Sequence, residues 1–530
     1  MNPRRRALLH VAAIAGASTL ATLRPAAAAS RFPFLEATIA QLQARLQSDK
    51  LTTRALTNAY LGRIEEIDRR GPKLSSVIEL NPDAMALAAE LDRERKAGNV
   101  RGPLHGIPIL LKDNIATADR MATTAGSLAL VGARPPRDAF VAARLRAAGA
   151  LILGKTNLSE WANIRSPRST SGWSARGGLT RNPYALDRNA SGSSSGTAVA
   201  IAANLATAGI GTETDGSIVS PASICGIVGL KPTVGLVSRD GIVPISQSQD
   251  TAGPMTRSVA DAAILLSAIA GSDSHDAATQ GASAPPDYMQ ALDANGLRGA
   301  RLGAVRNLRN LHPGVVTLFE AQLEVLRAAG AELVDPVEVR NMDSIDPYEM
   351  EVLLTELKAG LDVYLAEFGS GAAVKSLADV IAFNEANRAR EMAFFGQEFF
   401  VQAQAKGDLT SPAFLEALAS SRRLARAEGL DAAFAQHRVD ALVAPTGGMA
   451  WLTDPVNGDA TTGSFSTPAA VAGYPHLTVP MGFVAGLPVA LSLVGPAWSE
   501  AKLLRYGFAF EQATHARRAP AFPRSVTPQA

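Results

Sequence analysis

The 530-residue sequence contains a single cysteine, Cys225, so an intramolecular disulfide cannot form. Its apolar neighbours Ile224 and Ile227 predict a buried core thiol without a catalytic role. The chain also lacks an excess of either charge, because 51 Lys and Arg residues oppose 49 Asp and Glu residues. A nucleic-acid binder or a membrane-surface binder needs a basic face. We therefore expect neither nucleic acid nor a membrane surface as a partner.

Long apolar runs are missing except near the N-terminus. Residues 7–23 form an apolar stretch that follows three arginines at 4–6 and precedes the small residues 26–30. This order is typical of a secretory signal peptide, and the stretch is too interrupted for a membrane-spanning helix. We predict a signal peptide over residues 1–29 that is cleaved near Ala29.

The arginine pair Arg5-Arg6 favours export of the twin-arginine type, with the general secretory route as the alternative. Cleavage would leave a periplasmic or secreted protein. No other span approaches the length of about 18 apolar residues that a membrane helix needs, so we expect no stable membrane insertion of the mature chain. We expect a monomer or a weak homo-oligomer.

Hydrophobic residues make up 47% of the sequence and charged residues 19%, which is typical of a globular protein. Apolar residues at helical spacing alternate with short apolar runs at both ends of the chain, and residues 346–437 are helical in pattern throughout. The strand-like runs are 76–80, 107–111, 150–153, 440–443, 477–479 and 489–494. Strands on both sides of a helix-rich middle predict one α/β domain over residues 30–530, with a helical insertion at about 346–437.

Residues 163–195 are rich in serine, arginine, glycine and asparagine, a composition that also occurs in linkers. They lead directly into the apolar run 198–206, which predicts a buried helix. Because a flexible linker does not usually feed into the most buried part of a core, this arrangement favours an ordered, functional loop.

Residues 149–156 match the phosphate-binding pattern G-x-x-x-x-G-K-[ST], with Lys155 as its lysine. In a phosphate-binding loop, the residues between the two glycines wrap their N–H groups around the phosphates. Here a helical pattern precedes Gly149, and the intervening residues form an apolar strand. The context therefore disfavours a P-loop nucleotide-binding protein, which is the rival interpretation from another class.

Residues 192–196 match G-x-S-x-G, the pattern around the nucleophile of α/β-hydrolases, with Ser194 in the nucleophile position. That fold requires an acid and then a histidine further along the chain, and His437, His476 and His515 are available. A serine esterase of this type is the competing interpretation within the hydrolases.

Three segments could supply a nucleophile and a base without histidine. They carry Lys112, Ser193 and Ser217, and the two serines lie 24 residues apart. A lysine accepts a proton at neutral pH only if burial lowers its pKa well below the ordinary value of about 10.4. Lys112 follows the apolar run 107–111, so burial is expected. Together the three residues indicate acyl transfer from an amide or an ester, although each one alone also suits a structural role.

The same segments resemble the amidase signature family. Matching motifs follow one another over residues 100–260 and, more loosely, from 440 to 515. They include Pro103-Leu-His-Gly-Ile-Pro-Ile-Leu-Leu-Lys-Asp-Asn114, Ser191-Gly-Ser-Ser-Ser-Gly196, Gly226-Ile-Val-Gly-Leu-Lys-Pro-Thr233 and Asp250-Thr-Ala-Gly-Pro254. The resemblance implies a single domain in which a mixed, twisted β-sheet is surrounded by α-helices. It also implies hydrolysis of a carboxamide through an acyl-enzyme, without a metal or an organic cofactor.

The resemblance assigns roles by position. Lys112 would be the base, Ser193 the bridging serine of the family's cis peptide, and Ser217 the acylated nucleophile. Ser194 would support the lysine–serine pair by hydrogen bonding. The oxyanion hole would be formed by the backbone N–H groups of Thr214, Asp215, Gly216 and Ser217.

Some positions depart from the commonest family pattern: Asp215 and Ser191 stand where many members have glycine, and Val219 stands where many have arginine. With the signal peptide, these departures resemble the bacterial peptide amidases, which hydrolyse the C-terminal amide of a peptide. The alternative is an amidase or esterase of the same family that acts on small aryl or aliphatic amides. We expect the pocket walls to come from the loop 163–178 and from the helical segment 346–437.

Overall fold

The computed structural model describes residues 32–280 and 286–526, so the predicted signal peptide lies outside the described residues. The chain divides into two compact units, Met1–Leu35 and Glu36–Ala530. In the first unit the described residues form a turn, in which the N–H of Leu35 donates to the carbonyl oxygen of Phe32 at 3.2 Å. The second unit carries the sheet and every residue discussed below.

The strands of the second unit account for most of the short apolar runs in the sequence. They are β1 (Val77–Leu80), β2 (Pro108–Lys112), β3 (Leu151–Thr156), β4 (Trp173–Ser174), β5 (Gly178–Leu179), β6 (Ala208–Glu213), β7 (Val228–Lys231), β8 (Thr251–Thr256), β9 (Arg301–Val305), β10 (Glu332–Val337), β11 (Ala441–Pro445), β12 (His476–Val484) and β13 (Leu487–Val494). In the described residues, β4 and β5 pair with each other, and the other eleven strands form one sheet in the order β1-β3-β2-β6-β8-β7-β12-β13-β11-β9-β10.

This sheet mixes parallel and antiparallel pairs. β3, β2 and β6 run parallel to one another on one side, and β11, β9 and β10 do so on the other. Antiparallel pairing through β8, β7, β12 and β13 joins the two groups. The predicted α/β domain with a mixed sheet and surrounding helices is confirmed.

The α-helices of the described residues connect and cover these strands. They are α1 (Ile39–Gln47), α2 (Thr53–Arg63), α3 (Ala84–Lys96), α4 (Phe140–Ala147), α5 (Ser195–Ala202), α6 (Val219–Ile224), α7 (Val259–Ile269), α8 (Pro313–Ala328), α9 (Met342–Phe368), α10 (Leu377–Ala386), α11 (Arg388–Glu391), α12 (Glu398–Gln404), α13 (Pro412–Ala425), α14 (Asp431–His437), α15 (Thr467–Ala472) and α16 (Glu500–Thr514). None of them is long and apolar enough to cross a membrane.

Burial on both faces explains the composition of the central strands. Every residue of β2 and β3 is buried, and their sequences are continuous apolar runs that end in polar residues. α5 is also buried at every position, which agrees with its small and apolar residues on all sides. The preceding loop is ordered, as predicted, and it contains the fully buried residues Arg165, Asn182 and Asn189.

The helical segment between β10 and β11 begins at Met342, earlier than the predicted start at 346, and ends at His437. Its longest helix, α9, packs along α13 of the same segment. These helices therefore bury much of their apolar surface against one another.

The carboxyl ends of β2 and β6 meet at one edge of the sheet. The two strands are parallel neighbours, and Leu111 lies opposite Ile210. Lys112 and Thr212 therefore extend from the same edge, where ligands bind in α/β sheets of this kind. α5 packs on β2, β3 and β6, which brings the residues before α5 to this edge as well.

Candidate active site

Lys112 is the last residue of β2, and its side chain is fully buried. Its Nζ lies 2.7 Å from Ser193 Oγ, 2.9 Å from Thr212 Oγ1 and 3.2 Å from the carbonyl oxygen of Thr212. Asn114 Nδ2 donates to the same Thr212 hydroxyl at 3.0 Å. The lysine and the serine that the sequence pairs across 81 positions are thus in direct contact.

Burial lowers the pKa of Lys112 from its ordinary value of 10.5 to about 7, because the charged ammonium loses its hydration. The carboxyl groups of Asp250 and Glu213 act in the opposite direction and favour the charged form. A large share of Lys112 is therefore uncharged at neutral pH. Only the uncharged amine has the lone pair that a base needs.

Ser193 and Ser194 directly precede α5, and the peptide bond before Ser193 is cis. Both side chains are fully buried. Ser194 Oγ donates at 3.0 Å to the carbonyl oxygen of Thr212, which also accepts from Lys112. A Cβ on Gly211 would lie 2.8 Å from Ser194 Oγ, so the strand beside it needs glycine at this position. Ser194 therefore contacts a shared acceptor and not Lys112 itself.

A turn at residues 214–217 follows β6 and leads into α6. Gly216 has a φ of 74°, in the left-handed region that glycine adopts without steric cost. Within the described residues, none of the four backbone N–H groups of this turn donates to another residue. Buried N–H groups are paired in the great majority of cases, so adjacent unpaired donors indicate a site for an anion or a developing oxyanion.

Ser217 ends this turn and is 8% exposed. Its carbonyl oxygen accepts from the N–H of Ser194 at 3.1 Å, so the segment that carries Ser193 lies directly beside it. No residue in the described part of the chain hydrogen-bonds with Ser217 Oγ. Ser217 itself is not among the residues that line the neighbouring cavity, whereas the preceding Asp215 and Gly216 are.

Two carboxyl groups from the strand ends fix the conformation of the turn. Glu213 Oε2 accepts from the N–H groups of Ile218 and Val219, at 2.7 and 3.0 Å. Thr214 Oγ1 donates to Asp250 Oδ1 at 2.5 Å. Burial raises the pKa of Asp250 to about 6, and the hydrogen bonds that it accepts limit this rise.

Two further contacts tie the turn to more distant segments. Asp215 Oδ2 accepts from Thr467 Oγ1 at 2.6 Å. Gln249 Nε2 donates to the carbonyl oxygen of Thr214 at 3.3 Å and to Glu349 Oε1 on α9 at 2.7 Å. Burial raises the pKa of Glu349 well above its ordinary value, and the nearby Asp215 carboxyl adds to this rise.

A cavity of about 270 Å³ opens beside the turn. Asp215 and Gly216 form one part of its lining, and Ser191 and Gly192 form another. The remaining lining comes from the loop after β3 (Asn163, Ser171), from α6 (Ser220, Ser223, Ile224) and from Thr446, Gly447, Gly448, Met449, Trp451, Asp459, Thr461, Thr462, Gly463, Ser464, Ser466 and Thr467. The unpaired N–H groups and the space for a substrate are thus adjacent.

The predicted pocket walls are correct in one part and wrong in the other. The loop 163–178 lines the cavity, but no residue of the segment 346–437 does. The chain between β11 and α15 takes that place, because β11 ends at Pro445 next to the central strands. The helical segment supports the site from outside the cavity. Glu349 accepts from Gln249, and Glu398 accepts from Ser166 of the loop 163–178. α9 and α13 also pack on α15, which carries the lining residue Thr467.

Asp459 connects the two sides of the cavity. Its carboxyl group accepts from the N–H of Ser171 at 3.1 Å and from Trp451 Nε1 at 3.2 Å. A longer bond of 3.4 Å comes from Asn189 Nδ2. Burial raises the pKa of Asp459, and the hydrogen bonds from Ser171 and Trp451 oppose the rise. Among the residues that line the cavity, Asp215 and Asp459 are acidic and none is a lysine or an arginine.

The two competing motifs have other roles. Residues 151–156 are strand β3, and Lys155 Nζ donates to the carbonyl oxygen of Ile115 at 2.6 Å and to Thr123 Oγ1 at 2.9 Å. They therefore cannot wrap around a phosphate.

No histidine in the described residues hydrogen-bonds with Ser194. His476 contacts Ser492 Oγ at 2.5 Å, and burial lowers its pKa to about 3.

One group of potential metal ligands occurs in the described ranges, and it lies outside the cavity. It consists of Asp240, Asp273 and His275, whose ligand atoms lie within 4.8 Å of one another. Asp240 pairs with Arg137 at 2.6 Å, and Asp273 accepts from Ser238 Oγ at 2.6 Å. These partners already satisfy both carboxylates.

Sequence reasoning missed Thr212, Asn114 and Asp459 as parts of the site. Asn114 lies two residues after β2, and Thr212 is the second-last residue of its parallel neighbour β6. Strand register is therefore the signal that would have placed them beside Lys112. No local pattern marks Asp459, which lies in an irregular segment 242 residues after Ser217.

The Amidase family profile matches residues 55–504 of this chain. A probable amidase of Arabidopsis thaliana is 43% identical over 505 residues, and the alignment covers 93% of this chain and 93% of that protein. One component of the glutamyl-tRNA(Gln) amidotransferase of Chloroflexus aurantiacus is 38% identical over 496 residues, with 90% of this chain and 96% of that protein covered.

Solved structures show the same relationship. The native peptide amidase of Stenotrophomonas maltophilia has a TM-score of 0.89 and 56% identity, with 93% of this chain and 99% of that chain covered. A peptide amidase in complex with the competitive inhibitor chymostatin has the same TM-score and identity, with 92% of this chain covered. The chain belongs to the Amidase family and is an amidase, a hydrolase that acts on amides.

Proposed function

We propose that this amidase hydrolyses a carboxamide to a carboxylate and ammonia with Ser217 as the nucleophile, Ser193 as the bridging serine and Lys112 as the base. One observation carries the proposal: the buried Lys112 Nζ lies 2.7 Å from Ser193 Oγ, and the backbone N–H of the next residue, Ser194, donates to the carbonyl oxygen of Ser217. The three residues thus belong to one small region at the edge of the sheet.

In the acylation step, Ser217 Oγ forms a bond with the carbonyl carbon of the substrate. Its proton passes to Ser193 Oγ, while the Ser193 proton passes to the lone pair of Lys112. The carbonyl oxygen becomes an oxyanion, which accepts from the backbone N–H groups of residues 214–217. The lowered pKa of Lys112 makes the neutral base available near pH 7.

Collapse of the tetrahedral intermediate breaks the C–N bond. The proton returns from Lys112 through Ser193 to the leaving nitrogen, which departs as ammonia. Water then attacks the acyl carbon, and Ser193 and Lys112 accept its proton. Cleavage of the ester bond returns that proton to Ser217 Oγ and releases the acid product.

For the substrate, we propose the C-terminal amide of a peptide. The solved peptide amidases that share 56% identity with this chain support this choice. The charge of the cavity supports it as well, because the acidic residues Asp215 and Asp459 line it without a lysine or an arginine. Such a lining disfavours a substrate with its own carboxylate, such as free glutamine, and suits a peptide amide, which offers N–H donors.

A second candidate substrate class is small aryl or aliphatic amides. Ile224, Met449 and Trp451 line the same cavity and offer apolar surface to such groups. The mechanism would be the same for both classes.

The test is an ammonia-release assay with peptide amides, free amino-acid amides, glutamine, aryl amides and long-chain fatty amides. We expect the highest kcat/KM for peptide amides and competitive inhibition by chymostatin. Preference for fatty or aryl amides would contradict the substrate class and leave the mechanism intact.

Ser217→Ala should lower kcat by a factor of about 10⁴ or more, whereas Ser194→Ala should still form the acyl-enzyme. Full activity of Ser217→Ala would refute the mechanism.

We also propose that the enzyme acts in the periplasm or outside the cell, on the basis of the signal peptide predicted over residues 1–29. N-terminal sequencing of the protein from cell fractions checks this proposal. An uncleaved N-terminus in the cytoplasmic fraction would contradict it.

A further inference from the structure

Thr212 Oγ1 accepts two hydrogen bonds, from Lys112 Nζ at 2.9 Å and from Asn114 Nδ2 at 3.0 Å. A hydroxyl has two acceptor positions and one hydrogen, so the hydrogen of Thr212 points elsewhere. No polar atom of the described residues accepts it. Asn114 Oδ1 also lacks a partner: it is a buried acceptor to which no group in the described part of the chain donates.

A small enclosed cavity lies next to these two groups. Its volume is about 10 Å³, and apolar residues form part of its wall (Ala162, Ile242, Val243, Ile245). The polar part of the wall consists of Asn114, Thr212, Thr214, Asp250 and Thr251. A cavity of about this size holds one water molecule if two to four polar groups of its wall can bond with it. The hydroxyl of Thr212 is a donor for such a water, and Asn114 Oδ1 is an acceptor.

We propose that this cavity binds one water molecule, and that Thr212, oriented by this water, directs the lone pair of neutral Lys112 toward Ser193. The water accepts the hydrogen of Thr212 and donates to Asn114 Oδ1. Its second hydrogen faces the Asp250 carboxyl group, which lines the same cavity. This inference rests on the proposed function, in which Lys112 is the base.

The hydrogen-bond count of a neutral lysine explains the effect. Its amine has two N–H bonds and one lone pair. The carbonyl oxygen of Thr212 can only accept, so it takes one N–H of Lys112 at 3.2 Å. If Thr212 Oγ1 takes the second, the lone pair is left for Ser193 Oγ at 2.7 Å.

The opposite orientation of the Thr212 hydroxyl would block the reaction. If Thr212 donated its hydrogen to Lys112, the lone pair would be occupied, and the amine would donate to Ser193 instead of accepting its proton. The water prevents this because it takes the Thr212 hydrogen.

The charged groups that act on Lys112 are Asp250 and Glu213. Neither forms a hydrogen bond with Nζ, because Asp250 accepts from Thr214, Ile245 and Ser246, and Glu213 accepts from the N–H groups that follow the turn. They favour the charged form of the lysine, but they do not orient it. Orientation comes from the uncharged oxygens of Thr212.

The variant that tests this role is Thr212→Val, which removes the hydroxyl at nearly constant volume, and Thr212→Ser is its conservative counterpart. For Thr212→Val we expect kcat to fall by a factor of about 10–100, with KM nearly unchanged. The acidic limb of the kcat/KM pH profile should move to lower pH, because the charged Lys112 loses an acceptor. Thr212→Ser should keep the kcat of the wild-type protein and the position of the acidic limb in its pH profile.

Thr256→Val is the matched control, because Thr256 is a fully buried threonine at the far end of β8, where its hydroxyl donates to the carbonyl oxygen of Ser258. Thermal unfolding establishes that each variant folds. An unchanged rate and pH profile for Thr212→Val would overturn the inference, as would an equal loss in Thr212→Ser. Activity in a Lys112→Met variant would instead refute the proposed function.

A high-resolution crystal structure tests the water directly. We expect density for one water within hydrogen-bond distance of Thr212 Oγ1 and Asn114 in the wild-type protein, and its loss or displacement in Thr212→Val. The absence of that density in the wild-type protein would overturn the water site.

Discussion

Two neighbouring strand ends of this protein each carry a fully buried lysine, and the two differ in what the lysine contacts. Lys112 ends β2, and Lys155 lies next to it on β3, opposite Leu111. Burial lowers the pKa of both, to about 7 for Lys112 and to about 8 for Lys155. Lys112 contacts the hydroxyl of Ser193, whereas Lys155 donates to the carbonyl oxygen of Ile115 and the hydroxyl of Thr123.

The comparison shows that burial and a lowered pKa do not by themselves make a base. Lys112 faces a hydroxyl that lies between it and a turn with free N–H groups. Lys155 holds two segments of the chain together and has no such path to the cavity. Its own carboxylate neighbours, with Asp113 as the strongest, favour its charged form. The group that accepts or supplies a hydrogen bond at the lysine, and not the burial of the lysine, therefore decides its function.

The largest expected effect separates the two lysines by activity. Lys112→Met should lower kcat/KM by a factor of about 10⁴ or more, because the base is lost, whereas Lys155→Met should stay within a factor of about ten. Methionine preserves the length and the apolar part of the side chain in both variants. Ammonia release is the measurement, and circular dichroism establishes that both variants fold. A larger loss in Lys155→Met would reverse the comparison.

The next effect concerns pH. Since only neutral Lys112 accepts a proton, kcat/KM should rise with pH and reach its plateau above the pKa of about 7. Initial rates between about pH 5 and pH 10 measure this limb. Lys155→Met should leave its position unchanged, because Lys155 does not take part in proton transfer. If the acidic limb moves in Lys155→Met, the titrating group that controls activity is influenced by Lys155, and the assignment of this limb to Lys112 alone is wrong.

The smallest effect concerns stability. The pKa of Lys112 is about 7 in the folded protein and 10.5 in the absence of burial, so the unfolded chain binds more protons between these values. The buried lysine thus destabilises the fold most below pH 7, and this cost falls as pH rises. Lys112→Met should therefore stabilise the protein more at pH 6 than at pH 9, by about 1–3 kcal/mol.

Denaturant unfolding of wild type and variant at both pH values measures this difference, because all other titrating groups are common to the two proteins. Lys155→Met should show the same sign with a smaller difference, since its pKa of about 8 is less depressed. A gain that is equal at both pH values would mean that Lys112 is charged in the fold throughout.

Much of the fold and of the site could be predicted from local patterns. The apolar run 107–111 predicted β2 and the burial of Lys112, and the small apolar residues after Ser195 predicted a buried helix. The strands β4 to β10 were not among the predicted runs. β10 has an exposed or half-exposed pattern at a sheet edge, so its composition lacks the apolar run that marks a central strand.

The walls of the cavity could not be predicted in the same way. Residues 446–467 have no helical or strand periodicity, and they line the cavity only because β11 and α15 position their two ends. The helical segment 342–437 was the more obvious candidate because of its length. It lies outside the cavity and supports its walls: α9 and α13 pack on α15, which carries Thr467, and Glu349 is linked through Gln249 to the turn.

The chemical groups of the site follow from the amino-acid sequence alone: a lysine in an apolar run, two serines at a family-like spacing and a glycine-containing turn. These are local properties, because burial and turn conformation depend mainly on neighbouring residues. Which lysine meets a serine, and what orients that lysine, depends on the packing of distant segments. The contact of Lys112 with Thr212 joins residues 100 positions apart, and it requires the register of two parallel strands, which no local pattern specifies.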